Sequence, residues 1–167
     1  MSPSRWNLAR EAEAALWDIA SIDVDSSVGD RVEEHKVDFN GYKAVAPDGS
    51  NLGSFIEVGA GPWTQSLGML QERNYSVSRY VLLDPNALSY AAHVKSCPYR
   101  TGRVNNIAPD GATIINAGAE HFFDALIIVN VLEHVENAVK ILRNTYNALK
   151  PGGTGGGIIT LLLMYLT

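Results

Sequence analysis

The chain has a single cysteine, Cys97. One thiol excludes an intrachain disulfide framework and a zinc site built from several cysteines. It fits a reducing compartment, and a cytoplasmic location is the expectation. Histidine is scarce too. His35, His93, His121 and His134 lack metal-ligand spacing, so no metal is expected. Positive charge is in deficit: 13 Lys+Arg against 18 Asp+Glu leave a net charge of −5. With no basic run, the electrostatic footprint of a nucleic-acid binder is missing, which ranks nucleic acid below other partners. Long apolar runs are also absent. The most apolar stretch, Ile158–Leu166, is nine residues long, too short to span a bilayer as a helix. Its β-branched start suits a buried strand. The N-terminus lacks the apolar stretch of a secretory signal.

What the chain does have is enough apolar material for one core. Hydrophobic residues are 46% and charged residues 19%, a globular rather than a disordered balance. At 167 residues, one domain is the prior. A helix is expected over about Arg5–Ala20, where Trp6, Ala9, Ala12, Leu16 and Ile19 recur on one face and Ser4 stands as a cap. That face is expected to pack on the core; a lid presenting Trp6 and Trp17 is the sharper alternative. Ser21–Asp30 reads as a solvated acidic connection, because its acids miss the spacing of a calcium loop. Arg31–Val45 reads as a short helix or a strand pair. The turn-rich Ala46–Ser54 marks a boundary. The expected division is a helical extension or cap over 1–54 and a core over 55–167.

From Phe55 onward, short apolar runs alternate with helix-period segments. Strands are expected at Phe55–Val58, Tyr80–Leu83, Ala112–Ile115, Leu126–Asn130 and Gly157–Leu166. Helices are expected over Thr64–Arg73, with Leu67 and Leu70 inward, and over Ala87–Lys95. A third is marked by Val135, Ala138, Val139, Leu142, Tyr146 and Leu149 and stopped by Pro151-Gly152-Gly153. Alternation of this kind predicts an α/β fold: a Rossmann-like, doubly wound, mostly parallel sheet of about five strands flanked by helices.

The strongest local signal is Phe55-Ile56-Glu57-Val58-Gly59-Ala60-Gly61-Pro62. A buried strand runs into a glycine turn that opens a helix. Glycines there let the backbone approach a ligand and leave amide groups exposed. Such a turn lies at the carboxyl end of the strands, where open α/β sheets bind ligands. Glu57 stands two residues before Gly59. Asp84 ends the second strand, where a carboxylate can accept hydrogen bonds from both hydroxyls of a ribose. Pro85 fixes the turn that follows.

These residues resemble a family. Glu57-Val-Gly-Ala-Gly61 is similar to motif I of the class I S-adenosylmethionine-dependent methyltransferases, of the type 11/12 kind. Leu83-Asp84-Pro85 resembles the acidic end of that family's second strand, and Gly118-Ala119-Glu120 its adenine-contacting turn. Phe123-Asp124-Ala125-Leu126 is similar to the start of its fourth strand, and Asn130-Val-Leu-Glu133-His134-Val135 to the segment after that strand. Leu149-Lys150-Pro151-Gly152-Gly153 resembles the turn before the fifth strand. The resemblance covers about Phe55 to Gly153, and its specificity lies in the order and spacing of the motifs together. It implies S-adenosyl-L-methionine as cofactor. Gly59, Ala60 and Gly61 would pass under its methionine part, and Glu57 would orient the turn and meet the amino group. Asp84 would hold the ribose, Ala119 and Glu120 would border the adenine, and Asn130 would lie near the amino-acid portion. It implies methyl transfer to a small-molecule or protein acceptor, with no catalytic residue assigned.

Some features depart from the family pattern. Trp63 stands where a third glycine is common, and the usual antiparallel hairpin after the fifth strand is missing from this sequence. The second departure keeps a non-catalytic or truncated methyltransferase-like domain in view. An NAD(P)-dependent oxidoreductase is a further alternative, set back by the missing final small residue of G-x-G-x-x-G/A. The Asn/Asp-Pro-Pro-aromatic motif of adenine- or glutamine-amine methyltransferases is absent at Asn130–Glu133.

Overall fold

The computed structural model describes residues 7–8, 11–12, 15–16, 46–62, 64, 66–93, 106–108, 122–129, 131–132, 135, 137–151 and 159–162. Its elements are β1 (Ser54–Val58), α1 (Ser66–Glu72), β2 (Arg79–Leu83), α2 (Ala87–His93), β3 (Asn106–Ala108), β4 (Ala125–Val129), α3 (Ala138–Ala148) and β5 (Ile159–Leu162). All the pairings between these strands are parallel, in the order β3-β2-β1-β4-β5.

Successive side chains of a strand point to opposite faces of its sheet, and here both faces are apolar. Phe55, Tyr80, Leu82, Ala125 and Ile127 join Met69 and Leu70 of α1 and Ala87 and Tyr90 of α2 in one core layer. Ile56, Val58, Val81, Leu83, Leu126 and Ile128 join Ala148, with Ile141 and Leu142 of α3, in the other. That is why these strands read as continuous apolar runs rather than as alternating ones. Each fully buried Leu, Ile or Phe contributes about 1.5–3 kcal/mol. The chain leaves β1 toward β2 on one side and returns through β4 on the other. The order therefore reverses between β1 and β4, and the loops leaving those two strands flank the switch point. Before β1, Ala46 and Leu52 are buried in the first layer, and Tyr75 donates its hydroxyl to the Ala46 carbonyl at 2.6 Å.

Several expectations need correction. A strand not expected from the sequence lies at Asn106–Ala108; the strand expected at Ala112–Ile115 lies outside the described residues. The three residues of Asn106–Ala108 sit among polar neighbours, so no apolar run announces them. Val139 and Tyr146 do not face the core: they are exposed by 66% and 69%. The buried face of α3 instead carries Thr145 and Ala148. Thr145 is tolerated there because its hydroxyl donates to the Leu142 carbonyl at 2.9 Å. The helix starts at an Asn137 cap, whose side chain accepts from the Lys140 amide, and ends in an extended Leu149, ahead of Pro151. Near the N-terminus, positions 7–8, 11–12 and 15–16 are helical as expected. Ala12 and Leu16, assigned to the inward face, are exposed. Periodicity defines a face but not what covers it.

Candidate functional site

The site is built at the carboxyl ends of β1 and β2. The Gly59 amide donates to the Leu83 carbonyl at 2.7 Å, turning the chain over the end of β2. Gly59 and Gly61 have φ of +71° and +61°, which residues with a Cβ avoid. The two glycines have different surroundings. A Cβ on Gly59 would lie 2.2 Å from Cγ2 of Val131, so the segment after β4 presses against the turn. A Cβ on Gly61 would meet no atom of the described residues within 4 Å. Among the described residues, then, the turn is crowded at Gly59 and open at Gly61.

Asp84 is 6% exposed and braces the turn. Its Oδ2 accepts from the Gly61 amide at 2.9 Å. Its Oδ1 accepts from the Asn86 amide at 2.8 Å, an Asx turn leading into α2. A carboxylate has about four acceptor positions, and a ribose hydroxyl is the kind of donor such a group accepts from. Pro85 sits exposed in the turn beyond.

Glu57 is 2% exposed and lies beneath the turn. Its Oε2 accepts from the Ser66 amide at 3.3 Å, from the Ser66 hydroxyl, and from the Tyr80 hydroxyl at 3.0 Å. Tyr80 also lies 2.6 Å from Ser66 Oγ and 3.4 Å from Thr64 Oγ1. Burial, reinforced by the Glu57 charge, pushes the Tyr80 hydroxyl well above its ordinary range, so it stays protonated. The described bonds of Glu57 thus run to the start of α1 and to β2. Thr64, a β-branched residue, sits at φ +53° at the exit of the turn and is buried. That conformation is strained for its side chain.

Of the residues expected at the site, Glu57, Gly59, Ala60, Gly61, Asp84 and Pro85 are brought together. Ala119, Glu120 and Asn130 lie outside the described residues, as do Trp63, Glu133 and His134. Sequence reasoning missed Thr64, Ser66, Tyr80 and Val131. Tyr80 reads as an ordinary strand aromatic, and Ser66 as a helix-start residue. Only their convergence on Glu57 marks them.

Taken together, these features are a parallel α/β sheet whose switch point carries a carboxylate-braced glycine turn, the place where open α/β folds bind their ligands. A methyltransferase-domain family model matches residues 56–154, more than half of the chain. A solved structure reported as "a Putative Type II Methyltransferase from Anaeromyxobacter dehalogenans" matches at 18% identity with a TM-score of 0.45, over 72% of this chain and 45% of that one. This chain thus spans less than half the length of that protein. No curated protein matches it. The chain belongs to the class I S-adenosylmethionine-dependent methyltransferase family.

Proposed function

We propose that the chain binds S-adenosyl-L-methionine over the Gly59–Gly61 turn and transfers its methyl group to a small-molecule or protein acceptor. The observation that carries this reading is the buried Asp84 carboxylate bound to the amide of the positive-φ Gly61 at 2.9 Å, at the carboxyl ends of β1 and β2. The residues present fit such a cofactor. Glycine backbone admits close approach, Asp84 offers acceptors for a ribose, and Glu57 fixes the turn from below. Ala119 and Glu120 at the adenine, and Asn130 at the amino-acid end, complete the proposed set.

When bound, the cofactor supplies an electrophilic methyl on a sulfonium, whose leaving group is already neutral. The protein's share of the work is then chiefly alignment. Asp84 holds the turn in register with β2, and the Val131 side chain packed on Gly59 closes the methionine side against water. An acceptor whose proton must leave needs a base; the site residues described assign none. A net charge of −5 favours small-molecule or protein acceptors over nucleic acid.

Isothermal titration with S-adenosylhomocysteine and with NAD tests the reading. Binding of the first and not the second is expected. Asp84→Ala should weaken that binding by about 1–3 kcal/mol, the worth of hydrogen bonds to a charged group. Binding of NAD alone, or unchanged affinity in a folded Asp84 variant, overturns it. Cofactor binding without turnover on any acceptor would point to a non-catalytic domain.

A further inference from the structure

The turn from Gly59 to Thr64 is held at both ends by one phenol. At its entry stands Glu57, whose Oε2 receives the Tyr80 hydroxyl at 3.0 Å. At its exit stand Thr64 and Ser66, whose side-chain oxygens lie 3.4 and 2.6 Å from the same hydroxyl. Every partner in this cluster is buried: Glu57 by 98%, Ser66 completely, Thr64 and Tyr80 by 95%. The Tyr80 ring is itself braced against Phe55, with centroids 5.7 Å apart. Just beyond the end of the same strand, Asp84 holds the middle of the turn through Gly61. β2 and its continuation therefore grip the turn at two heights.

The phenol's position matters because the backbone it holds is not relaxed. Thr64, which bears a branched side chain, is held at φ +53°. A residue in such a conformation persists when its surroundings over-determine it. Here the over-determination comes from buried hydroxyls that would be costly to leave unpaired.

We infer that Tyr80, acting with Ser66, is a positioning residue that sets the methionine-side geometry of the cofactor turn through Glu57 and Thr64. This rests on the cofactor reading above. Tyr80 touches no ligand in this arrangement; it acts through the turn. Its influence should fall chiefly on the part of the ligand lying along the turn and less on the adenosine, whose ribose would meet the Asp84 carboxylate beyond β2.

The test is calorimetric titration of wild type, Tyr80→Phe and Ser66→Ala with two probes. S-adenosylhomocysteine carries the amino-acid end; 5′-methylthioadenosine carries the adenosine and sulfur without it. Tyr80→Phe removes one oxygen and keeps the ring packing. It should weaken S-adenosylhomocysteine roughly five- to tenfold, as loss of one buried hydrogen bond does, and leave 5′-methylthioadenosine within about twofold. Ser66→Ala, which suits a helix start sterically, should give the same pattern and carries the test if Tyr80→Phe does not fold. A merely structural role would weaken both probes alike. Equal losses, or no loss, overturn the inference while leaving the cofactor reading intact. Failure of the wild type to bind either probe overturns both.

Discussion

At the residue scale, the two glycines of the turn do different work, and substitution separates them. Gly59 has a positive φ and a side chain pressed against it. Gly59→Ala must shift Val131 as well as strain the backbone, so a loss of about 2–4 kcal/mol in unfolding free energy is expected from urea denaturation. Gly61→Ala meets no neighbour among the described residues and adds the backbone strain, about 1 kcal/mol. Its methyl group projects into the space proposed for the cofactor. It should therefore lose S-adenosylhomocysteine affinity by at least tenfold, a size typical of overfilling a fitted space. If Gly61→Ala proves the less stable of the two, or binds as wild type, the assignment of space around the turn is wrong. The sequence makes the pair of glycines legible as a turn. It does not tell the neighbour-limited glycine from the other one, because Val131 is brought there from 72 residues further along.

At the element scale, the amino ends of β1 and β4 are fastened to the turn after α3. Asp124 Oδ2 accepts from the Ser54 amide at 2.8 Å, and its Oδ1 meets Lys150 Nζ at 2.6 Å. The Lys150 amide donates to the Phe123 carbonyl at 2.9 Å. The hydrogen bond from Lys150, then that from Ser54, holds the Asp124 carboxyl below its ordinary 3.8. A carboxyl depressed by folding stabilises the fold fully above its unfolded pKa, and that contribution fades as pH falls through the folded one. Asp124→Asn should thus cost about 1 kcal/mol at pH 7, a modest figure because both side chains are partly solvated. The gap to wild type should close between pH 4 and pH 2 in a series of chemical denaturations; a gap that persists or widens there would sink this account. The same element shows where pattern reading ends. Phe123–Leu126 and Leu149–Gly153 are each recognisable as motifs, and the element types around them come out as expected. That an acid in one is paired with the lysine of the other is a product of the parallel return from β4 through α3. The face of α3 is misread for a related reason: Val139 and Tyr146 are apolar enough to count as core, while Thr145 is buried by satisfying its own hydroxyl.

At the scale of the whole molecule, the sheet order decides both where the site forms and how rigidly it is held. Strand β1 pairs with β2 over five residues and with β4 over four, so it has a partner on each side. Its side chains feed both core layers, with Phe55 and Ile56 at 0% exposure. β3 is only three residues long and stands at one end of the described order, with β5 at the other. The glycine turn thus leaves from the strand with the most support, and its braces, Tyr80 and Asp84, lie on or just beyond the neighbouring β2. Local opening is cheapest where backbone bonds are few and solvent-facing, and approaches global unfolding in the centre of a sheet. Native-state hydrogen exchange should therefore find the amides of Ile56–Val58, Val81–Leu83 and Leu126–Ile128 slowest, exchanging only through global unfolding. Those of Asn106–Ala108 should exchange sooner, through sub-global opening. Addition of S-adenosylhomocysteine should slow the central amides by the full linkage free energy, RT ln(1 + [L]/Kd), and leave a β3 that opens by itself largely unchanged. If the β3 amides are instead as slow as those of β1 and gain equal protection, the sheet opens as one unit. The turn would then owe its rigidity to the fold as a whole rather than to its seat between β1 and β2.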